Sequence, residues 1–348
     1  MAAYIGFQPS DFFSTLLYTG NASTQVISSI GFNPAITWIK ERDGANNHEF
    51  FDTVRGDDKH IEPNLNNVEA TESGAFAFGT DQFTLGNWTP TNGSGNLTVA
   101  WNWAAGTTTG VSGGTLTPDA YSINTTSGCG IYKYGGNSTS GATIAHGLGA
   151  TPAVVIVKGL GSAGSWIVQH QAIGPTKSVV LNTTAAQTTD STYWNDTAPT
   201  STVFSLGNGG EVNATGYDYV AYCFAEKKGY SKMGNYRGNA AADGPFVYTG
   251  FRPAIVIIKN SESVQAWNTF DDKRSTSTKN TTNFLLQPND SGAETIGVDG
   301  TKTIDLLATG FKVRGLNNEI NKNSDTIIYM AFAEFPFVSS NSKPGTAR

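Results

Sequence analysis

Pro152-Ala153-Val154-Val155-Ile156-Val157-Lys158 is a short β-branched run that a proline opens and a lysine closes. Proline has a fixed φ and no N–H, so it suits the first residue of a strand. An unbroken run of Val and Ile bounded by Gly and Pro reads as a strand buried on both faces. The closing lysine can lay its methylenes along the sheet and keep its amine in water. The run occurs twice more, as Pro34-Ala35-Ile36-Thr37-Trp38-Ile39-Lys40 and as Pro253-Ala254-Ile255-Val256-Ile257-Ile258-Lys259.

The flanks repeat as well. Before each run stand Tyr18-Thr19-Gly20-Asn21, Tyr134-Gly135-Gly136-Asn137 and Tyr236-Arg237-Gly238-Asn239, with Tyr-to-Pro intervals of 16, 18 and 17 residues. After each run come a turn-like segment and an aromatic, here taken as Phe51, Trp166 and Trp267. A Phe-x-aliphatic triplet follows at Phe83, Phe204 and Phe311. The unit closes with the apolar stretches that begin at Val99, Val220 and Ile328. Landmarks in one order, three times over, define an internal repeat of about a hundred residues, too long for a solenoid unit and right for a small domain that buries its own core.

Charged residues make up 14% of the 348, against about 25% in an average domain. There are 40 glycines, and the net charge is −6. Polar but weakly charged composition, with many turn residues between short apolar runs, points to an all-β chain of antiparallel sandwich or jelly-roll repeats. The best helical candidate, 57–72, is interrupted by Pro63. A pI near 5.2 and the lack of a basic cluster argue against a nucleic-acid partner. No run reaches the length of a membrane span, and no signal peptide or cofactor fingerprint is visible.

The expected organisation is an apolar leader at 1–17, repeats at 18–106, 129–232 and 233–338, a Thr/Ser/Gly-rich linker at 107–128 and a loose tail at 339–348. The leader carries Phe7, Phe12, Phe13, Leu16 and Leu17, too much apolar surface to leave in water, so it is expected to hold a partner or its own domain. Cys129 and Cys223 both fall in the middle repeat; one bridge is conceivable, and two reduced thiols is the simpler reading.

The search for catalytic chemistry selects nothing. Of His48, His60, His146 and His170, the first two neighbour Asp52, Asp57, Asp58 and Glu62, yet no other repeat matches them, and a solvated loop is expected. Asp52 and Arg55 recur at the same spacing as Asp271 and Arg274, a pattern suited to holding a turn. Trp88 and Trp194 fall outside the repeat pattern in Gly/Asn/Thr-rich surroundings, and Asn195 and Asp196 follow Trp194. Aromatic faces beside amides suit sugar rings, with C–H groups stacked on the indole and hydroxyls bonded to the polar side chains; the competing reading is an indole capping a core.

Tyr18-Thr19-Gly20-Asn21, Gly31-Phe32-Asn33-Pro34, Trp194-Asn195-Asp196-Thr197-Ala198-Pro199, Val220-Ala221-Tyr222-Cys223-Phe224-Ala225-Glu226-Lys227, Gly229-Tyr230-Ser231-Lys232 and Tyr248-Thr249-Gly250-Phe251-Arg252-Pro253 together resemble a repeated domain of unknown function from tail-fibre-like and other virion-associated proteins of marine, cyanobacterial-type bacteriophages. The resemblance covers essentially the whole chain and brings no catalytic residues. It implies lectin-like β-sandwich domains in a virion component, without cofactor or enzymatic activity. The expected role is host-surface attachment, through glycans, by a homo-oligomer, most simply a trimer, joined to other virion proteins by the leader. The alternatives are a purely structural capsid-decoration or tail-assembly subunit, and a glycan-cleaving enzyme built on a carboxylate pair that nothing in the sequence singles out.

Overall fold

The computed structural model describes residues 6–106, 111–275, 280–297 and 301–334. Strand Pro152–Gly159 lies between Asp218–Ala225 and Ile167–His170, with Cys129–Gly135 beyond Asp218–Ala225. The same antiparallel order returns in the first third, as Phe13–Thr19, Leu97–Trp103, Ile36–Glu41 and Glu49–Asp52, and in the last third, as Ser231–Arg237, Thr326–Phe332, Ile255–Asn260 and Trp267–Asp271. Registers match: Ile36 opposes Trp103, Val154 opposes Phe224 and Ile255 opposes Phe332. Pro152 begins its strand, while Pro34 and Pro253 precede alanines whose N–H groups already donate to Trp103 and Phe332 carbonyls at 2.9 and 2.8 Å.

A smaller antiparallel sheet covers one face of each large sheet. Its shared members are Gln25–Ser28 with Gln82–Leu85, Ala142–Ala145 with Val203–Leu206, and Asp243–Tyr248 with Gly310–Arg314. The chain is therefore nearly all β and sandwich-like; the α-helices among the described residues are single turns such as Thr89–Asn92. No helix forms over 57–72. Lys59–His60 and Ala70–Thr71 pair as strands instead, around a turn that Pro63 suits better than a helix interior.

Successive strand residues point to opposite faces, and both faces of the large sheets are covered. In Pro152–Gly159, Val155 and Val157 enter the middle third's own core, while Val154 and Ile156 turn the other way. The outward rows of all three sheets meet. Val99, Trp101 and Trp103 share one apolar cluster with Val220, Tyr222, Phe224, Ile328, Met330 and Phe332. At its centre, Trp38, Trp103, Trp166, Tyr222, Trp267 and Met330 are among the residues around an apolar cavity of about 30 Å³. The expectation that each repeat buries an independent core is thus half right. Each third has its own core, and the three share another.

Three further expectations change. Lys40, Lys158 and Lys259 do not reach water. They are fully buried, and each amine donates to the carbonyl of the following residue at 2.6 or 2.7 Å. Of the expected 1–17 leader, residues 1–5 lie outside the described residues, and the rest is not separate, because strand Phe13–Thr19 is integral to the first sheet. Phe13 lies in the shared core, and Phe7 and Phe12 pack edge-on against Tyr230. The linker is only partly a linker. Ala120–Asn124 adds an edge strand to Cys129–Gly135, residues 107–110 lie outside the described residues, and so does the 339–348 tail. Cys129 and Cys223 are free buried thiols, and burial pushes both above the usual thiol range.

The Tyr-x-Gly-Asn motif has one physical explanation in all three places. Tyr18, Tyr134 and Tyr236 donate to the carbonyls of Thr91, Val212 and Ile320 at 2.7, 2.8 and 2.7 Å. The next residue in each single-turn helix is a fully buried asparagine: Asn92, Asn213 or Asn321. Its Oδ1 accepts the N–H of Asn21, Asn137 or Asn239 at 2.9 Å each time. Its Nδ2 donates to Gly86, Gly207 or Gly315 carbonyls at 2.8, 2.8 and 2.7 Å. The motif glycine is needed for close approach: a Cβ at Gly20, Gly136 or Gly238 would lie 2.1, 2.3 or 2.1 Å from a backbone oxygen.

Candidate functional site

The thirds are locked together by a ring of equivalent contacts. His48, Trp166 and Trp267 hold the same position in their sheets, one residue before the partners of Ile39, Val157 and Ile258. Phe51 is therefore not the counterpart of Trp166 and Trp267; His48 is. Trp166 Nε1 of the middle third donates to the Glu62 carbonyl of the first at 3.1 Å, and Trp267 Nε1 of the last third to the Val180 carbonyl of the middle at 2.9 Å. His48 Nε2 closes the ring on the Gln287 carbonyl of the last third at 3.1 Å. Its Nδ1 accepts from Trp38 at 2.9 Å, so the ring is the neutral Nε2–H tautomer, and burial holds its pKa down near 3. A backbone set runs alongside: Glu69, Gln187 and Glu294 N–H groups donate to Leu160, Ser261 and Arg42 carbonyls at 3.0, 2.7 and 2.6 Å.

Asp52 and Arg55 belong to this ring. Asp52 Oδ1 accepts the N–H groups of Val54 and Arg55 at 3.0 and 2.9 Å, the expected turn role, while Oδ2 pairs with the Arg55 guanidinium and takes the Tyr222 hydroxyl at 2.6 Å. Asp271 and Arg274 repeat the pair, with Trp101 Nε1 as outside donor at 2.9 Å. Arg55 and Arg274 reach on to Glu69 and Glu294. In the middle third, His170, Ile173 and Gln187 stand in the same three places, and the outside donor position holds Met330. The whole polar set is exchanged as a unit, as expected when a buried charge cannot be left without its partners.

The histidines are not on a solvated loop. His48 is buried, and His60 Nδ1 lies 2.7 Å from Glu49 Oε2 with its ring 4.6 Å from that of Trp88. Burial raises the Glu49 carboxyl to about 7. The pair has acid–base character but sits inside the sandwich, with Glu49 1% exposed. Trp88 is only half-buried, as the residue before helix Thr89–Asn92. Trp194 is fully buried in the middle third's core, so it offers no face to a sugar. Asn195 and Asp196 take left-handed backbone after helix Ser191–Trp194, and Asn195 accepts from Ser140 at 2.8 Å. Trp88 packs on the first third's core and Trp194 within the middle third's, so the structure does not bring the four expected residues into one site.

A different place is open. Glu226, Lys228, Gly229, Ser231, Lys232 and Tyr248, with Thr249 and Gly250, line a groove of about 560 Å³ where the middle third passes into the last. Its floor is held firmly. Glu226 Oε1 accepts from Gln171 Nε2 and Met233 N at 2.8 and 3.0 Å, and Oε2 takes the Lys232 amine at 2.8 Å. Thr249 Oγ1 donates to the Phe251 carbonyl at 2.6 Å, fixing the turn that Gly250 makes at φ +86. Both stretches stand out as motifs in the sequence, but nothing local to either marks them as facing each other. Among the described residues no group of three His, Cys, Asp or Glu side chains is placed to hold a metal ion.

A family described as a domain of unknown function, DUF7483, matches residues 8–336, through all three thirds as one stretch. No curated protein and no solved structure matches the chain.

Proposed function

The chain belongs to the DUF7483 family of domains of unknown function, and we propose that it is a non-enzymatic bacteriophage virion protein that attaches the particle to a host surface through glycans. In this reading the three thirds are tandem β-sandwich repeats of lectin-like, jelly-roll kind, closed into one rigid body. The observation that carries it is the contrast between centre and surface. Many buried polar groups lock each third or hold the thirds together, whereas the 226–232 and 248–250 turns leave an open groove with amine and aromatic groups at its wall. A pre-formed groove with a few convergent polar groups is the ordinary form of a small-ligand site.

The proposal includes a homo-oligomer, because single sugar contacts are weak and several linked sites raise avidity by about 10² to 10⁴. Phe7, Phe12 and Phe13 pack on this chain's own Tyr230 and Trp103, which supports a contact surface other than these three rings. Light scattering reads the oligomeric mass directly.

Labelling purified particles with an antibody to this chain, together with binding of the purified protein to host cells, tests the reading. Surface labelling and saturable cell binding that free host polysaccharide competes away are expected. Particle labelling without any cell binding would replace it with the purely structural subunit, and release of reducing sugars from host envelope would replace it with a glycan-cleaving enzyme.

A further inference from the structure

The threefold repeat supplies an internal control. A side chain that the fold needs should recur in equivalent places; one that appears once, exposed, serves something else. Val247 opposes Phe311, Ile27 opposes Phe83 and Ile144 opposes Phe204, which makes the three strands equivalent in register, although the middle one is also bridged by Leu116 on its other side. The flanking residues are Val26 and Ser28 in the first third, both exposed, Thr143 and Ala145 in the middle, where Ala145 is buried and Thr143 bonds Thr115, and Phe246 and Tyr248 in the last. Phe246 is 47% exposed and Tyr248 68%.

These two aromatics are two residues apart on one strand, so they share a face. Gly310 lets the neighbouring strand come close, since a Cβ there would lie 2.0 Å from the Val247 carbonyl oxygen and 3.1 Å from the Phe246 ring. Tyr248 forms a wall of the groove, with Lys228, Ser231 and Lys232 among the groups that line it. Leaving two adjacent rings in water forgoes the apolar burial that either could have contributed to folding, and the other two thirds do without them.

We propose that Phe246 and Tyr248 form a stacking platform for a saccharide, which enters the groove with its hydroxyl or carboxylate groups toward Lys228 and Lys232. This rests on the glycan-binding reading above and places its site. An extended peptide adding to the edge is the less suited occupant. Pro245 has no N–H to offer, and the ladder is irregular between Asp243 and Phe246, both of which obstruct strand addition. A sugar needs no ladder; it needs a flat ring face and hydrogen-bonding groups beside it.

The test uses the full chain on an array printed with neutral and acidic bacterial oligosaccharides, followed by calorimetry with the best binder. Tyr248→Ala and Phe246→Ser are each expected to weaken binding about tenfold or more without lowering the melting temperature, and Val26→Ser, the equivalent exposed position of the first third, to leave affinity unchanged. Lys232→Gln should weaken acidic saccharides more than neutral ones. If the native chain binds saccharides and the Tyr248 and Phe246 variants bind equally well, the platform is wrong while the glycan reading stands. If the native chain binds none of the printed saccharides, both fall.

Discussion

The Tyr222 hydroxyl of the middle third lies 2.6 Å from Asp52 Oδ2 of the first. The equivalent relationship joins Trp101 of the first third to Asp271 of the last. At the remaining junction Met330 faces the position of His170, where no carboxylate needs a donor; His170 instead lies 3.1 Å from the Tyr329 carbonyl through Nε2. Donor and acceptor have changed together, although they are far apart in the chain.

Tyr222→Phe removes that donor and leaves a buried carboxylate oxygen with the Arg55 pair alone. A loss of about 1–3 kcal/mol is expected from urea unfolding. His170→Asp should cost more, about 3 kcal/mol or above, because it buries a carboxylate opposite Met330 with Ile173 in place of the arginine.

Asn213→Ala breaks the bonds to Asn137 N, Thr139 O and Gly207 O. Leaving these buried groups unpaired is expected to cost about 3 kcal/mol or more. Gly136→Ala should be comparably harmful, since its Cβ would press on the Ala214 carbonyl at 2.3 Å. Thermal unfolding of Asn92→Ala and Asn321→Ala should show the same size of effect if the motif plays one role three times.

Trp38 and His48 stand where the other thirds have isoleucine and tryptophan: Ile156 with Trp166, and Ile257 with Trp267. The large ring has moved from one strand to its neighbour, and Trp38 and His48 touch with ring centres 5.6 Å apart. Trp38→Ile alone opens a cavity and His48→Trp alone overfills, each at about 1–4 kcal/mol. The double variant should recover at least about 1 kcal/mol relative to additivity in a double-mutant cycle.

Burial holds Lys40, Lys158 and Lys259 near pKa 8, below the 10.5 of an exposed lysine. Between about pH 8 and 10 the unfolded chain therefore binds more protons at these positions than the folded one, and their contribution to stability rises with pH. Below pH 8 both states are protonated and the burial penalty is fully present. Replacing all three by methionine should flatten that rise when unfolding free energy is followed from pH 7.5 to 10; an unchanged slope would show that the amines are not the source.

Much of the fold was legible in three copies of one apolar run. An unbroken Val/Ile stretch is stable only with both faces covered, and the Tyr-x-Gly-Asn landmark marked a backbone lock even though its partner, the asparagine of the single-turn helix, went unnoticed because a lone Asn among many carries no signal. Between the two readings of Trp194, sugar-stacking face or core indole, the sequence does not decide, for a related reason. Polar neighbours in sequence do not report what packs above a side chain, and here the covering residues come from strands such as Val203–Leu206.

Sequence alone determined the β class, the threefold repeat and the strand that organises each copy, because periodicity and proline placement act locally. The shared core, the burial of three lysines and the meeting of the 226–232 turn with Tyr248 were decided only by tertiary structure. Each depends on which sheet face another third covers, and that is set by packing among residues far apart in the chain, as in the stacking of Phe13 on Phe332 and the bond between Tyr230 and the Phe12 carbonyl, where no local pattern can record the partner.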